Sequence, residues 1–258
     1  MAKKLGLALS GGGSRAAAQL GAIKALKDHN IEICCYSGTS AGSMVAVLAA
    51  DGVDPEKVLE EIHSFSFFNI VNFNYSLSGL SNLKKIEKSL KKLLSTKNLE
   101  DLAFPTSVVA TNLNTGKVMV FEKGDIIEKV LASSSIPVLF APLKFENQYY
   151  IDGGVLMNLP VEPLKEKCDR IIGFNITPVA EKTSEQYNRI LNIGLRTFEL
   201  SIQGNVKTSK ASCDLVIEPE ELNSYGIFSF DKMDEMFDIG YKAIENKLEE
   251  INKLIQEN

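Results

Sequence analysis

The sequence predicts an α/β protein: a mostly parallel sheet with helices on both faces. Three observations carry this. The first half alternates short apolar runs with helical periodicity. The first two runs, "LGLALS" and "IEICCYSG", are predominantly apolar, as strands buried on both faces are. Each is followed by glycine and then by an amphipathic or apolar helix, the pattern of right-handed strand–helix–strand crossovers.

Along the chain, "SRAAAQLGAIKALKDHN" reads as a helix with Ala17, Leu20, Ile23 and Leu26 on one face. "AGSMVAVLAADG" is apolar all round, which predicts a buried helix. In "DPEKVLEEIHSF", Asp54 and Pro55 are an N-cap and a first-turn signal. The aromatic stretch "FSFFNIVNFNYSLSGLS" has no clean period. The basic amphipathic helix "NLKKIEKSLKKLLS" follows, with Leu83, Ile86, Leu90 and Leu93 on one face. "PTSVVATNL" and "KVMVFEKG" flank "NTG", a hairpin signal. "IIEKVLASS" is helical, "NQYYIDGG" a strand and turn, and "DRIIGFNI" a further buried strand. Thr177 to Asn192 is polar and read as a loop leading into the helix "ILNIGLRTFELSIQGNVK"; "CDLVIEPE" is the last strand. Residues 231–258 are read as one long amphipathic helix, and 1–258 as one domain.

Hydrophobic residues make up 45% of the chain and charged residues 24%, a globular balance. The net charge of −5, without a sustained basic stripe, argues against nucleic acid as a partner. Cys34, Cys35, Cys168 and Cys213 show no metal-type spacing, so no metal is expected and a reducing, cytoplasmic compartment fits. "LGLALS" is too short for the core of a signal peptide.

Gly11, Gly13 and Ala16 satisfy G-x-G-x-x-G/A between a strand and a helix, the context of a dinucleotide loop. That reading needs a carboxylate at the end of the second strand. The strand ends instead in Ser37, Gly38, Thr39, Ser40, and no Gly-Lys-Ser/Thr follows the loop. Nucleotide cofactors are therefore not expected, and the bare N–H groups of the loop suit some other negative oxygen.

"GTSAG", residues 38–42, is G-x-S-x-G between an apolar strand and an apolar helix, the context of a nucleophile elbow presenting Ser40. A serine nucleophile needs a base. The chain has two histidines, His29 and His63. His29 lies at the opposite end of the second strand, about 25 Å from Ser40 at the usual rise per residue. His63 sits in a helix and reads as packed or solvated. A histidine triad is poorly supported.

"SGGGSRAAAQLGAIKAL", "GTSAG", "ASSSIPVLFAP" and "IDGGVLMNLP" occur in this order. Together they resemble the four sequence blocks of the patatin-like phospholipase family, from the N-terminus to about residue 160. The resemblance implies a three-layer α/β/α sandwich and a Ser–Asp dyad without histidine. It also implies hydrolysis of acyl esters in lipids, usually phospholipids, without a cofactor. Carried over, the nucleophile is Ser40, its partner Asp152, and the oxyanion loop Gly11, Gly12 and Gly13, with Arg15 beside them. Arg15 is read as holding the loop, as touching an anionic head group, or as a surface ion pair. Ala16 and Gln19 depart from the family, where glycine and histidine are common. A carboxylate base is weak at its ordinary pKa near 4, and burial beside "YYI" and "VLM" would raise it. A thioesterase or general carboxylesterase on the same dyad, and a catalytically silent lipid-binding module, remain alternatives.

Phe65, Phe67, Phe68, Phe73 and Tyr75 precede lysines 84, 85, 88, 91 and 92. Two readings stay open for 65–97: peripheral contact with an anionic membrane, or a loop packed under a solvated helix.

Overall fold

The computed structural model describes residues 3–64, 79–178 and 190–256. The aromatic stretch Phe65 to Tyr75 lies outside them, as does most of the expected loop from Thr177 to Asn192.

The strands are β1 (Leu5–Leu9), β2 (Ile33–Thr39), β3 (Thr106–Asn112), β4 (Lys117–Phe121), β5 (Leu143–Phe145), β6 (Gln148–Asp152), β7 (Arg170–Phe174) and β8 (Leu215–Ile217). The helices are α1 (Ala16–Asp28), α2 (Ala41–Ala50), α3 (Pro55–Ser64), α4 (Gly79–Leu93), α5 (Ile126–Ser133), α6 (Ile190–Lys210), α7 (Met233–Glu245) and α8 (Leu248–Gln256). All strands join one sheet in the order β5-β6-β3-β2-β1-β7-β8, with β4 also on β3. Pairing is parallel from β3 through β2, β1 and β7 to β8, and antiparallel at β3–β4, β3–β6 and β5–β6. The expected hairpin is thus β3–β4, and the sheet is mostly parallel as its apolar strands imply.

The two-residue period of β1 divides the core. Leu5, Leu7 and Leu9 enter a large cluster that also takes residues of α1, α2, α3, α7 and α8. Ala8 enters a second cluster on the opposite face, with Leu159, Leu164, Ile202 and Val206. The result is helix, sheet, helix. In the first layer α1 and α7 cross with their backbones almost touching. A Cβ on Gly21 would lie 1.9 Å from the Phe237 carbonyl oxygen, and one on Gly240 1.7 Å from that of Ala18.

Asp54 caps α3 as expected, accepting from the Glu56 N–H at 2.8 Å. In α4, Leu83, Leu90 and Leu93 are buried while Lys84, Lys88, Lys91 and Lys92 are exposed. Lys91 pairs with Glu87 at 2.5 Å and Lys92 with Glu61 of α3, so part of this basic face is neutralised within the fold. The C-terminal stretch is two helices rather than one. At Asn246 and Lys247 the hydrogen bonding tightens, Lys247 N–H reaching the Ile244 carbonyl three residues back. Among the described residues, no helix is long and apolar enough to cross a membrane.

Candidate active site

β2 ends in a sharp turn. Ser40 has φ 54° and ψ −128°, and α2 starts at the next residue. Such a backbone costs a non-glycine residue about 1–3 kcal/mol, and the neighbours hold it. Ser40 N–H donates to Ser133 Oγ at 2.8 Å, and Ser133 Oγ donates to the Val109 carbonyl at 2.6 Å. Ser43 Oγ donates to the Ser40 carbonyl at 2.6 Å. Both glycines of "GTSAG" are required by close approach. A Cβ on Gly38 would lie 2.4 Å from the Gly42 carbonyl oxygen, and one on Gly42 2.4 Å from that of Leu9.

The sheet register brings Asp152 to this turn. Val108 and Val109 pair with β2 on one edge of β3 and with β4 on the other. Ala110 to Asn112 pair with β4 on that other edge and with β6 on the first. β2 and β6 therefore share one edge of β3 and meet end to end. Thr39 stands opposite Val109 and Asp152 opposite Ala110, consecutive residues of one strand. The following Gly153 fits where a Cβ would lie 2.3 Å from the Val109 carbonyl oxygen and 3.0 Å from Thr39 Cγ2.

Asp152 is 1% exposed. Its N–H donates to the Ser135 carbonyl at 2.9 Å, and its Oδ1 accepts from Gly154 N–H at 2.7 Å. Oδ2 is buried without a hydrogen-bond partner. Burial pushes the carboxyl up to about 7, against the opposing pull of the nearby Ser40 hydroxyl and of the Gly154 N–H. The hydroxyl stands close enough to favour the carboxylate but falls short of an aligned hydrogen bond to Oδ2. Such contacts are commonly loose before substrate binds.

The glycine loop flanks the serine: a Cβ on Gly11 would lie 3.0 Å from Ser40 Cβ. The three N–H groups are not equivalent. Gly11 N–H donates to the Asn158 carbonyl at 3.2 Å, so the expectation of three free donors is corrected to two. Among the described residues, the Gly12 and Gly13 N–H groups meet no acceptor. Gly13 has φ 63°, a left-handed conformation that glycine adopts without strain, and a Cβ there would lie 2.2 Å from the Ile227 carbonyl oxygen. Arg15 is committed to the protein: Nε donates to the Tyr225 carbonyl at 2.9 Å and a terminal nitrogen to that of Ile176 at 3.3 Å. Of its three readings, holding the loop fits these bonds. Buried Gln19 donates to the Ser10 carbonyl at 2.8 Å, bracing the end of β1.

Two cavities meet at Ser40. One, of about 750 Å³, is lined by the glycine loop, Asp152, Asn158 and the first half of α6. The other, of about 220 Å³, is walled almost wholly by apolar side chains, among them Leu20, Met44, Leu48, Val58 and Leu90. Ser40, Gly13, Ile136, Ile227 and Phe228 line both. Neither histidine lines either. His63 Nε2 lies 3.0 Å from Asp234 and His29 3.9 Å from Glu245. The sequence reading missed Ser133, Ser135 and Asn158. The serine run and the "NLP" after Asp-Gly-Gly were visible, but nothing local marks which groups they hold.

Residues 7–165 match the family model described as Patatin-like phospholipase. A lysophospholipase NTE1 from Meyerozyma guilliermondii is 26% identical over 92% of this chain and 19% of its own length. This chain thus spans about a fifth of that relative. The uncharacterized protein R571 of Acanthamoeba polyphaga mimivirus is 28% identical over 94% of this chain and 93% of its own. The crystal structure of VipD from Legionella pneumophila aligns with a TM-score of 0.48 at 18% identity, over 92% of this chain and 67% of that one.

Proposed function

The chain belongs to the patatin-like phospholipase family, and on that premise we propose that it hydrolyses carboxylic acyl esters of lipids through a serine acyl-enzyme, with Ser40 as nucleophile and Asp152 as base. The observation that carries this reading is the meeting, at Ser40, of a cavity walled almost wholly by apolar side chains with a larger one of mixed lining that also presents Asn158, Gln203 and Asn223. An acyl chain fits the apolar cavity, and the alcohol or head group of the ester the larger, mixed one. The scissile carbonyl then stands between them, at the serine.

Asp152 takes the Ser40 proton as Oγ attacks the carbonyl carbon. The oxyanion forms beside the glycine loop, where the Gly12 and Gly13 N–H groups and the N-terminus of α2 are available to it. One such donor is worth about 3–4 kcal/mol in other hydrolases. Collapse expels the alcohol, which leaves with the proton from Asp152. Water, deprotonated by Asp152, then cleaves the acyl-enzyme and releases the fatty acid.

The test is a substrate panel of lysophospholipid, diacyl phospholipid, acyl thioester and p-nitrophenyl ester, together with fluorophosphonate labelling. Free fatty acid from the lipid esters and a single adduct on Ser40 are expected, with no adduct on Ser40→Ala. Equal turnover by wild type and Ser40→Ala would overturn the assignment, and a marked preference for thioesters would favour the thioesterase. The acyl side is tested separately. Met44→Trp fills the apolar cavity and should lower kcat/KM for a dodecanoyl ester about 10-fold relative to a butyryl ester. An unchanged chain-length profile would remove this cavity from the acyl path.

A further inference from the structure

Six buried side-chain polar atoms have no hydrogen-bond partner among the described residues. Two of them, Asp152 Oδ2 and Asn158 Oδ1, belong to residues lining the main cavity. Both residues are essentially inaccessible, at 1% and 0% exposure. A buried acceptor without a donor is unfavourable, so a pair of them at the candidate site calls for a ligand that donates to both.

The position of Asn158 Oδ1 is defined from two sides. It lies 2.7 Å from where a Cβ on Gly11 would stand, a point 3.0 Å from Ser40 Cβ. It also lies 2.9 Å from the corresponding point on Gly154, which is 3.0 Å from Asp152 Oδ1. The amide oxygen is thus wedged between the glycine loop, the serine and the carboxylate. It is held there from behind. Nδ2 donates to the Gly11 carbonyl at 3.3 Å and to Thr177 Oγ1 at 3.2 Å. The backbone N–H donates to Asn205 Oδ1 at 2.9 Å, and the carbonyl accepts from Gly11 N–H.

We propose that Asn158 Oδ1 and Asp152 Oδ2 together hold the water that cleaves the acyl-enzyme, which makes Asn158 a water-positioning residue for deacylation. This rests on the Ser40–Asp152 reading above. One O–H of the water points to each acceptor, leaving an oxygen lone pair for the acyl carbon. On attack, the proton facing Asp152 moves to its carboxylate and a C–O bond forms. The C–Oγ bond then breaks, Ser40 Oγ takes that proton from Asp152, and the fatty acid leaves. Acylation needs Asp152 and the loop donors but not this water, so the two half-reactions separate.

The experiment is pre-steady-state and steady-state hydrolysis of a p-nitrophenyl ester by the full chain and by Asn158→Ala. Slower deacylation should lower kcat and KM together by about 10-fold, leaving kcat/KM and the burst rate within about 3-fold of wild type. Thr177→Val removes one of the two anchors of the same amide and should give a weaker form of the same split. Asn158→Ser, whose hydroxyl is too short to reach, should give it and serves if the alanine variant is insoluble. A fall in kcat/KM as large as that in kcat would overturn the proposal and reduce Asn158 to a brace of the loop. Failure of the underlying reading looks different: undiminished turnover in Ser40→Ala.

Discussion

Replacing Asp152 with asparagine is expected to lower kcat/KM by about three to four orders of magnitude and to make the protein more stable above pH 7. The loss follows from removing the buried carboxylate that stands beside Ser40; general-base contributions run to about 10⁴-fold. The gain follows from burial. The Asp152 carboxyl is raised from 3.8 to about 7, so the folded chain holds a proton that the unfolded chain releases near pH 4. Its favourable contribution is complete below the unfolded value and is lost as pH rises through about 7. Above that, the wild type carries a buried charge at a cost on the order of 4 kcal/mol. Asparagine keeps the acceptor for Gly154 N–H and never ionises. Melting curves at pH 4 and pH 8 check this: the variant should melt several degrees higher at pH 8, and the difference should shrink at pH 4. The kcat/KM of the wild type should rise with pH to a plateau above about 7. A variant with retained turnover, or with the same melting difference at both pH values, would contradict the assignment.

Gly240→Ala is expected to destabilise the fold by at least about 2 kcal/mol, although alanine is the better helix former. Propensity alone favours the change by about 1 kcal/mol. Against it stands a methyl group placed 1.7 Å from the Ala18 carbonyl oxygen, a backbone atom that cannot rotate away. α1 and α7 must separate, which loosens the contacts that bury Met236 and Ile244 beside Leu20 and Ile23. At about 2–4 °C per kcal/mol in a chain of this size, the melting temperature should fall by roughly 4–8 °C or more. A melting temperature within about 2 °C of wild type would mean that the crossing is not the tight contact described.

What could be read beforehand was local chemistry. The elbow at Ser40 was legible because small residues between an apolar strand and an apolar helix admit few backbones, and its φ of 54° bears this out. The apolar central strands announced the parallel sheet, and Asn-Thr-Gly the β3–β4 hairpin. The raised Asp152 carboxyl was expected from burial, although Tyr149 and Leu156 of the flanking apolar runs are themselves exposed. What could not be read depends on partners far away in the chain. Whether Gly11 N–H is free is decided by the Asn158 carbonyl, which no spacing rule connects to it. The apolar cavity is a product of how α1, α2, α3 and α4 pack, and each helix alone reads as ordinary core. The break at Asn246 is a one-residue change in hydrogen bonding that leaves the apolar period almost intact.

The end-to-end meeting of β2 and β6 on β3 also makes the site a gauge of folding. Neither strand brings the proposed Ser40–Asp152 pair together by itself, and they come from distant parts of the chain. The pair exists only when both have docked in register, since a slip of β6 by one residue would turn Asp152 to the opposite face of the sheet. A refolding chain that has collapsed its helices but not seated β6 would look largely native by helical signal and still be inert. Recovery of turnover therefore times the closing of this one junction, and long-range strand pairing of that kind is slow compared with local helix formation.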